Sequence, residues 1–314
     1  MAGWHGMTTI CERAVDYLAL RRGLGFKLGR PGQLVSQFAC YCAAAGSDIV
    51  TTELALAWAR QPSDSRPLWW SYRLGAVRGF ARYLHALDIH HEVPPADLLP
   101  AGPRRAEPFI YSAAEIAALM MAAGELPHPL MSATYETYVG LLAATGMRAG
   151  EAIALDRGDL NWSEQTLVVR IAKFGKSREI ALHATTAGAL REYDNHRRRR
   201  MPRPETPAFF VSTVGTRLAY NNVAVVFHRL TQSAGLQPRS ARSRPRLHDL
   251  RHTFAVSTLV DWYRAGVDVA HRMHLLTTYL GHTQPAYTYW YLSATPELLT
   301  LVSQRLELQL GQLP

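Results

Sequence analysis

Five prolines fall within residues 88–111, "DIHHEVPPADLLPAGPRRAEPFIY". Proline fixes φ and offers no backbone N–H, so no helix runs through such a stretch and no central strand can use it. The chain is therefore cut into two pieces that must each find a core. At 314 residues, 48% of them hydrophobic, it has the length and the apolar content for two. The reading places a helical domain at 1–90, a linker at 91–111 and a second domain at 112–314.

The first piece reads as all-helical. "TTICERAVDYLALRR" and "GQLVSQFACYCAAAG" repeat apolar residues at intervals of three and four, and glycines close both. "TTELALAWARQP" opens on a threonine cap and stops at Pro62. "PLWWSYRLGAVRGFARYLHALD" opens on proline and lays Arg66, Arg73, Arg78 and Arg82 beside a Leu/Phe/Tyr face. Four helices with basic edges are expected.

The second piece begins with a capping box, Ser112 with Glu115, and two helical stretches, "SAAEIAALMMAAG" and "MSATYETYVGLLAATG". "MRAGEAIAL" resumes the helical spacing. The character then changes: in "DLNWSEQTLVVRIAKFGKSREIAL" the β-branched and alternating residues on either side of "KFGKS" predict a small antiparallel sheet with a hairpin. Beyond it the chain returns to helices. The charge run at 196–200, "HRRRR", is expected to be a solvated helix end, and Asp156 with Asp159 a turn.

A net charge of +9 points to a polyanionic partner. Residues 1–102 carry ten Lys/Arg against eight Asp/Glu, the remaining 212 carry 24 against 17, so the excess lies in the larger piece. Three cysteines, Cys11, Cys40 and Cys42, without CxxC spacing, fit a reducing compartment rather than a disulfide framework. No apolar run is long enough to span a bilayer, and the first residues lack the pattern of a secretory signal. A cytoplasmic, nucleoid-associated protein with no membrane partner is expected.

Only three of the 34 basic residues are lysine, and two of them, Lys173 and Lys176, stand together in "AKFGKSR". Arginine holds its proton near neutral pH whereas lysine can release one, so proton donation is expected in this hairpin. Three further stretches supply rare groups. "TGMRAGE" offers Arg148 at a helix start, "LHDLRHT" offers His248, Arg251 and His252 on one helical face, and "LGH" offers His282. Singly each is weak: a buried arginine commonly pairs with a carboxylate, and His252 reads as structural.

In this order and at these distances, however, the chain resembles the tyrosine recombinase (phage integrase) family. The likeness is carried by T-G-x-R-x-x-E around Arg148, Lys173 in a hairpin 25 residues later, H-x-x-R-H, L-G-H, and Tyr291 nine residues past His282. It covers roughly residues 108–310. Gly150 stands where serine is common and Ala181 where the hairpin often has proline; neither removes a functional group. The resemblance implies a mainly α fold with a small antiparallel β-sheet: a helical N-terminal core-binding domain plus a mixed α+β catalytic domain.

It also implies a reaction, in which a tyrosine attacks the scissile phosphate of double-stranded DNA to give a 3′-phosphotyrosine and a free 5′-hydroxyl, needing neither ATP nor a cofactor. Arg148 and Arg251 would neutralise the phosphorane oxygens and His282 would donate a hydrogen bond. Lys173 would protonate the leaving oxygen, and His248 would handle the nucleophile's proton. No phosphate-binding G-x-x-x-x-G-K-[ST] loop and no acidic cluster for Mg²⁺ is present, so a metal-independent strand transferase is expected. Tyr291 and Tyr287 are expected on one face of a short helix after Pro285, with Tyr289 and Trp290 as packing residues.

DNA contacts are expected from helices around 66–85 and 220–246. They would come from Arg73, Arg78, Arg82, Arg239, Arg242, Arg244 and Arg246, with Lys176 and Arg178 in the hairpin. The last stretch, "TPELLTLVSQRLELQLG", is either a helix packed on its own domain or, as the family implies, one that docks on a neighbour in a homo-tetramer on paired sites, with room for accessory DNA-binding proteins. Two other functions compete, a type IB topoisomerase and a non-catalytic DNA-binding protein. A metal site from His271, His274 and His282 is the rival reading of the histidines.

Overall fold

The computed structural model describes residues 9–100, 107–170, 177–293 and 295–310. By its contacts the chain divides into Met1–Arg105 and Ala106–Pro314.

Among its described residues the first unit holds four helices, α1 (Ile10–Gly23), α2 (Gly29–Ala44), α3 (Thr52–Arg60) and α4 (Pro67–Leu87). Their starts are chemically marked. Thr9 and Glu12 form a capping box, Thr51 caps α3 through the Leu54 N–H, and Pro67 opens α4. The core joins Leu34 and Phe38 of α2, Trp58 of α3, and Leu74, Val77 and Phe80 of α4.

Much of the proline stretch is bound to this unit rather than slack. Glu92 donates its N–H to Val50 O (2.7 Å), the Val50 N–H bonds to Nδ1 of His91 (3.1 Å), and Leu99 joins the core. Arg78 donates to the carbonyls of Pro94 (2.7 Å) and Pro95 (2.8 Å), so one guanidinium satisfies acceptors that a proline run leaves without a ladder. At the other end, Phe109 and Tyr111 belong to the core of the second unit.

The second unit opens with α5 (Ala113–Gly124), capped by Ser112 and Glu115, then α6 (Pro129–Thr145) and α7 (Ala149–Ala154). Among the described residues three antiparallel strands follow in the order β1 (Leu160–Asn161), β2 (Thr166–Val169) and β3 (Arg178–Ala181). Leu167 pairs with Ile180 and Val168 with Glu179, so Leu167, Val169 and Ile180 face the core. Then come α8 (Ala184–Arg200), α9 (Tyr220–Ser233), α10 (Asp249–Arg264), α11 (Val269–Leu280), a short α12 (Ala286–Tyr289) and α13 (Pro296–Leu310).

Two expectations need correction here. The arginine-rich stretch after α9 is not helical; residues 234–248 form an irregular connection to α10. The basic run at the end of α8 is not wholly solvated, since Arg197 is 1% exposed and donates to Ala208 O (2.8 Å). Its neighbour Arg198 pairs with Asp194, which also binds Arg157. The cause is tertiary: the strand-like residues 207–211 pack beneath the end of α8 and need donors. Of the two readings of the last stretch, packing on its own unit is the one seen: Leu298 of α13 is fully buried in a cluster with Leu259, Met273 and Tyr291. Arg264 pairs with Glu297 and Arg305 donates to Val267 O. Asp156 and Asp159 do form a turn, the Asp156 N–H donating to the Asp159 carboxylate. Among the described residues no helix is long and apolar enough to cross a membrane.

Candidate active site

Two helix ends and one helix start build the centre. α6 closes on Gly146 at φ +59°, and a Cβ there would lie 2.5 Å from Cδ1 of Phe254. Glycine thus answers a backbone demand and a packing demand together. Two residues on, Arg148 is the N-cap of α7. Its Nη1 donates to Oε1 of Glu151 (2.7 Å) and its Nη2 to Gly281 O (3.0 Å). Gly281 is itself the left-handed cap of α11.

Arg251 lies in the first turns of α10 and is 2% exposed. Its Nη1 donates to Gly146 O (2.9 Å) and its Nη2 to Leu280 O (2.6 Å). Arg148 and Arg251 therefore bind the carbonyls of adjacent residues, and Arg251 reaches back to the turn that carries Arg148. Burial, and then the nearby charge of Arg148, bring the Arg251 guanidinium down to about 10.

One carboxylate joins Arg148 to a third cation, Arg178. Glu151 accepts from Arg148 and, through both oxygens, from Arg178 (2.6 and 3.1 Å), whose Nε donates to Tyr279 O. Burial pushes the Glu151 carboxyl up, but the hydrogen bonds and charge of Arg178, with the bonds from Arg148, outweigh it and hold it at about 2. Two guanidiniums thus share one carboxylate, and that of Arg251 lies nearby with only backbone carbonyls as its acceptors among these contacts. The excess positive charge in a half-enclosed corner is a place that a phosphate group would neutralise.

The aromatic segment sits against this corner. After α12 the chain tightens into a 3₁₀ turn over Trp290–Ser293. Tyr287 and Tyr289 are about half exposed, at 45% and 49%, whereas Tyr291 is 2% exposed. Tyr287 and Tyr291 both bring their rings near His282, with centroids 6.2 and 6.1 Å away, but they are not equally deep, since only Tyr291 is buried. Nor is Tyr289 a packing residue: Thr288 takes the buried position, and its neighbours on either side turn outward. Trp290 does pack, against Tyr291 and His252.

Tyr291 stacks on His282, with centroids 6.1 Å apart at 23°, and its hydroxyl lies 3.2 Å from Nδ1 of His252. His282 is oriented by Thr288, whose Oγ1 is 2.8 Å from its Nδ1 and 2.9 Å from Oγ1 of Thr277. His248 is exposed at the N-cap of α10, its ring edge-on to His252 at 4.7 Å. Four of the six expected catalytic residues, Arg148, Arg251, His282 and Tyr291, are thus linked through the Leu280–His282 corner, with His248 beside Tyr291's partner. Lys173 lies outside the described residues, as does Lys176.

Residues 111–297, more than half of the chain, match the Phage integrase family. The chain belongs to the phage integrase family. It is 41% identical over 307 residues to the "Putative integrase/recombinase y4rB" of Sinorhizobium fredii, covering 96% of this chain and 98% of that one. Among solved structures it resembles the Tn1549 transposon integrase in complex with transposon right end DNA, at TM-score 0.65 and 16% identity, over 95% of this chain and 99% of the other. It also resembles a lambda integrase tetramer bound to a Holliday junction, at TM-score 0.60 and 17% identity, over 92% and 79%. At such identities the likeness to the solved structures is one of fold.

The arginines expected to touch DNA in this integrase divide by burial. Arg73 is 8% exposed, donates to Trp58 O (2.7 Å) and lies with its Cζ 3.7 Å from the Trp58 ring centre, so it is a core residue of the first unit. Arg178 is enclosed by Glu151 and Tyr279, and Arg78 by the two prolines. Arg239 pairs with Glu115 and covers the Phe109 ring, while Arg246 binds Asp249 with two nitrogens. Arg82, Arg242 and Arg244 are exposed. The helical period placed Arg73 on the polar edge, but α3 and α4 cross there and enclose it.

Two participants escaped the sequence reading. Glu151 stands in the T-G-x-R-x-x-E motif with no role assigned by the sequence, though its position three residues after Arg148 at a helix start is the signal for such a pairing. His252 was read as structural, and nothing in its local spacing shows that it meets Tyr291. Among the described residues no three His, Cys, Asp or Glu side chains gather where they could hold a metal. The His271–His274–His282 reading therefore falls: the first two rings lie 5.7 Å apart on α11, and His282 belongs to Tyr291.

Proposed function

We propose that this integrase cuts one DNA strand with Tyr291, keeps the end as a 3′-phosphotyrosine and rejoins it to a second strand, making it a site-specific recombinase. The supporting observation is the meeting of Arg148 and Arg251 at the Leu280–Gly281 turn, with Tyr291 stacked on the next residue, His282.

Each guanidinium carries more N–H donors than its protein acceptors can take, so both have donors for the non-bridging oxygens of a phosphodiester. Their charge is fixed before substrate arrives, because Glu151 and the backbone carbonyls hold them, and preorganised charge is what lowers the barrier as the phosphorane forms. His282, held by Thr288, adds a donor. Lys173, in the segment between β2 and β3, protonates the 5′-oxygen as the P–O bond breaks. The guanidiniums do what a metal ion does in other phosphoryl transfers, so chelators should leave the reaction unchanged.

Arg82, Arg242 and Arg244 are the surface cations we assign to DNA phosphates. A homo-tetramer on paired sites is the working assembly, with the outer face of α13, where Leu299 and Leu306 are exposed, offered to a neighbouring protomer.

The test is to incubate the full chain with sheared genomic DNA, recover protein that stays attached to DNA in denaturant, and sequence the attached fragments. Wild type should give one recurrent site, with or without EDTA, and the Tyr291→Phe variant no adduct. An adduct of undiminished yield in that variant would overturn the reading.

A further inference from the structure

His252 stands between the nucleophile and a buried acid. Its Nδ1 lies 3.2 Å from the Tyr291 hydroxyl, and its Nε2 lies 3.9 Å from Oδ1 of Asp249, a fully buried carboxylate three residues earlier on α10. His252 itself is 7% exposed. Asp249 is held in place by Arg246, whose Nε and Nη2 donate to its two oxygens at 2.9 and 2.8 Å.

We propose that His252, rather than His248, is the base that receives the phenolic proton of Tyr291, with Asp249 as its positioning residue. The proposal rests on Tyr291 being the nucleophile and adds the fate of its proton. A carboxylate near Nε2 favours the tautomer protonated there, which leaves the Nδ1 lone pair to accept from the phenol. At 3.9 Å the carboxylate acts through its field rather than through a hydrogen bond.

The step balances. As the Tyr291 oxygen bonds to phosphorus, its proton passes to Nδ1 and His252 becomes imidazolium, stabilised by Asp249. The P–O5′ bond breaks with its electron pair on O5′, which takes a proton from Lys173. On rejoining, the imidazolium returns its proton to the departing phenolate. Burial of both partners keeps water from supplying or taking this proton. Tyr–His–Asp thereby follows the same logic as other activated nucleophiles, a nucleophile bonded to a base that a third group orients.

The test uses the full chain and the duplex recovered by covalent trapping, made in two forms, with oxygen or sulfur bridging to the 5′ carbon. Sulfur leaves without a proton, so it relieves a defect in leaving-group protonation and does nothing for a defect at the phenol. His252→Phe, which keeps a ring but no nitrogen, should form adduct about 100-fold more slowly on both duplexes, in the range expected for loss of a general base. Lys173→Ala should be slow only with oxygen. His252→Asn, which can still accept a hydrogen bond, should recover part of the rate.

A second readout needs no DNA: with ¹³C at tyrosine Cζ, the signal that vanishes in Tyr291→Phe should move in His252→Phe and stay in His248→Phe. Thermal melting checks that each variant is folded. A wild-type rate in His252→Phe, its rescue by sulfur, or an unmoved Tyr291 signal would overturn the proposal while leaving Tyr291 as nucleophile. Adduct formation by Tyr291→Phe would instead overturn the underlying reading.

Discussion

Replacing Glu151 by glutamine keeps the shape of the side chain and removes the one carboxylate shared by Arg148 and Arg178. Its folded-state carboxyl titrates at about 2 against an ordinary 4.5. Each tenfold change in an acid equilibrium corresponds to about 1.4 kcal/mol, so the charged form contributes about 3 kcal/mol to folding at neutral pH. The side chain is only 10% exposed, so solvent screens little of this. The sign follows from the depressed value: the stabilisation is complete above 4.5 and is lost as pH falls from there toward about 2.

At pH 7 Glu151→Gln should therefore unfold its unit with about 3 kcal/mol less free energy, a urea midpoint lower by roughly 1 M. At pH 3 the unfolded carboxyl is already protonated, and the gap between the two proteins should shrink by roughly half or more. Because the comparison is between two proteins at each pH, the acid sensitivity of all other groups cancels. Adduct formation should also fall, since Arg148 loses the partner that aims it. A variant as stable as wild type at pH 7, or a gap that does not change with pH, would refute the argument that this carboxylate is held ionised by its two arginines.

Gly146→Ala puts a side chain at φ +59° and against Phe254, and should cost about 2–4 kcal/mol by urea unfolding. Leu298→Ala opens a cavity under α13 and should cost roughly 2–4 kcal/mol in the isolated protein. A negligible cost would mean that the helix does not rest on its own unit in solution. Arg73→Ala should destabilise the first unit by about 1–3 kcal/mol through loss of its contacts with Trp58. Arg82→Ala should leave melting unchanged and reduce the slope of log binding constant against log salt by about 1, measured on the trapped duplex.

What the sequence determined by itself was whatever depends on neighbours along the chain. Thr51 and Ser112 with Glu115 mark helix starts by hydrogen bonds that span three residues, and each is found in the fold. The hairpin strands followed from β-branched alternation, and the catalytic candidates from motif order. Tertiary structure decided everything that depends on residues far apart. Arg73 and Arg82 look alike on one helix, yet the crossing of α3 encloses the first and leaves the second in solvent. Tyr287 and Tyr291 look equivalent by helical period, yet packing against α10 and α11 buries only Tyr291. His252 meets Tyr291 across 39 residues, and Arg251 meets Gly146 across 105. A side chain's charge and shape are written at its own position, but the partners that give them a use are brought by packing, which is a property of the whole unit.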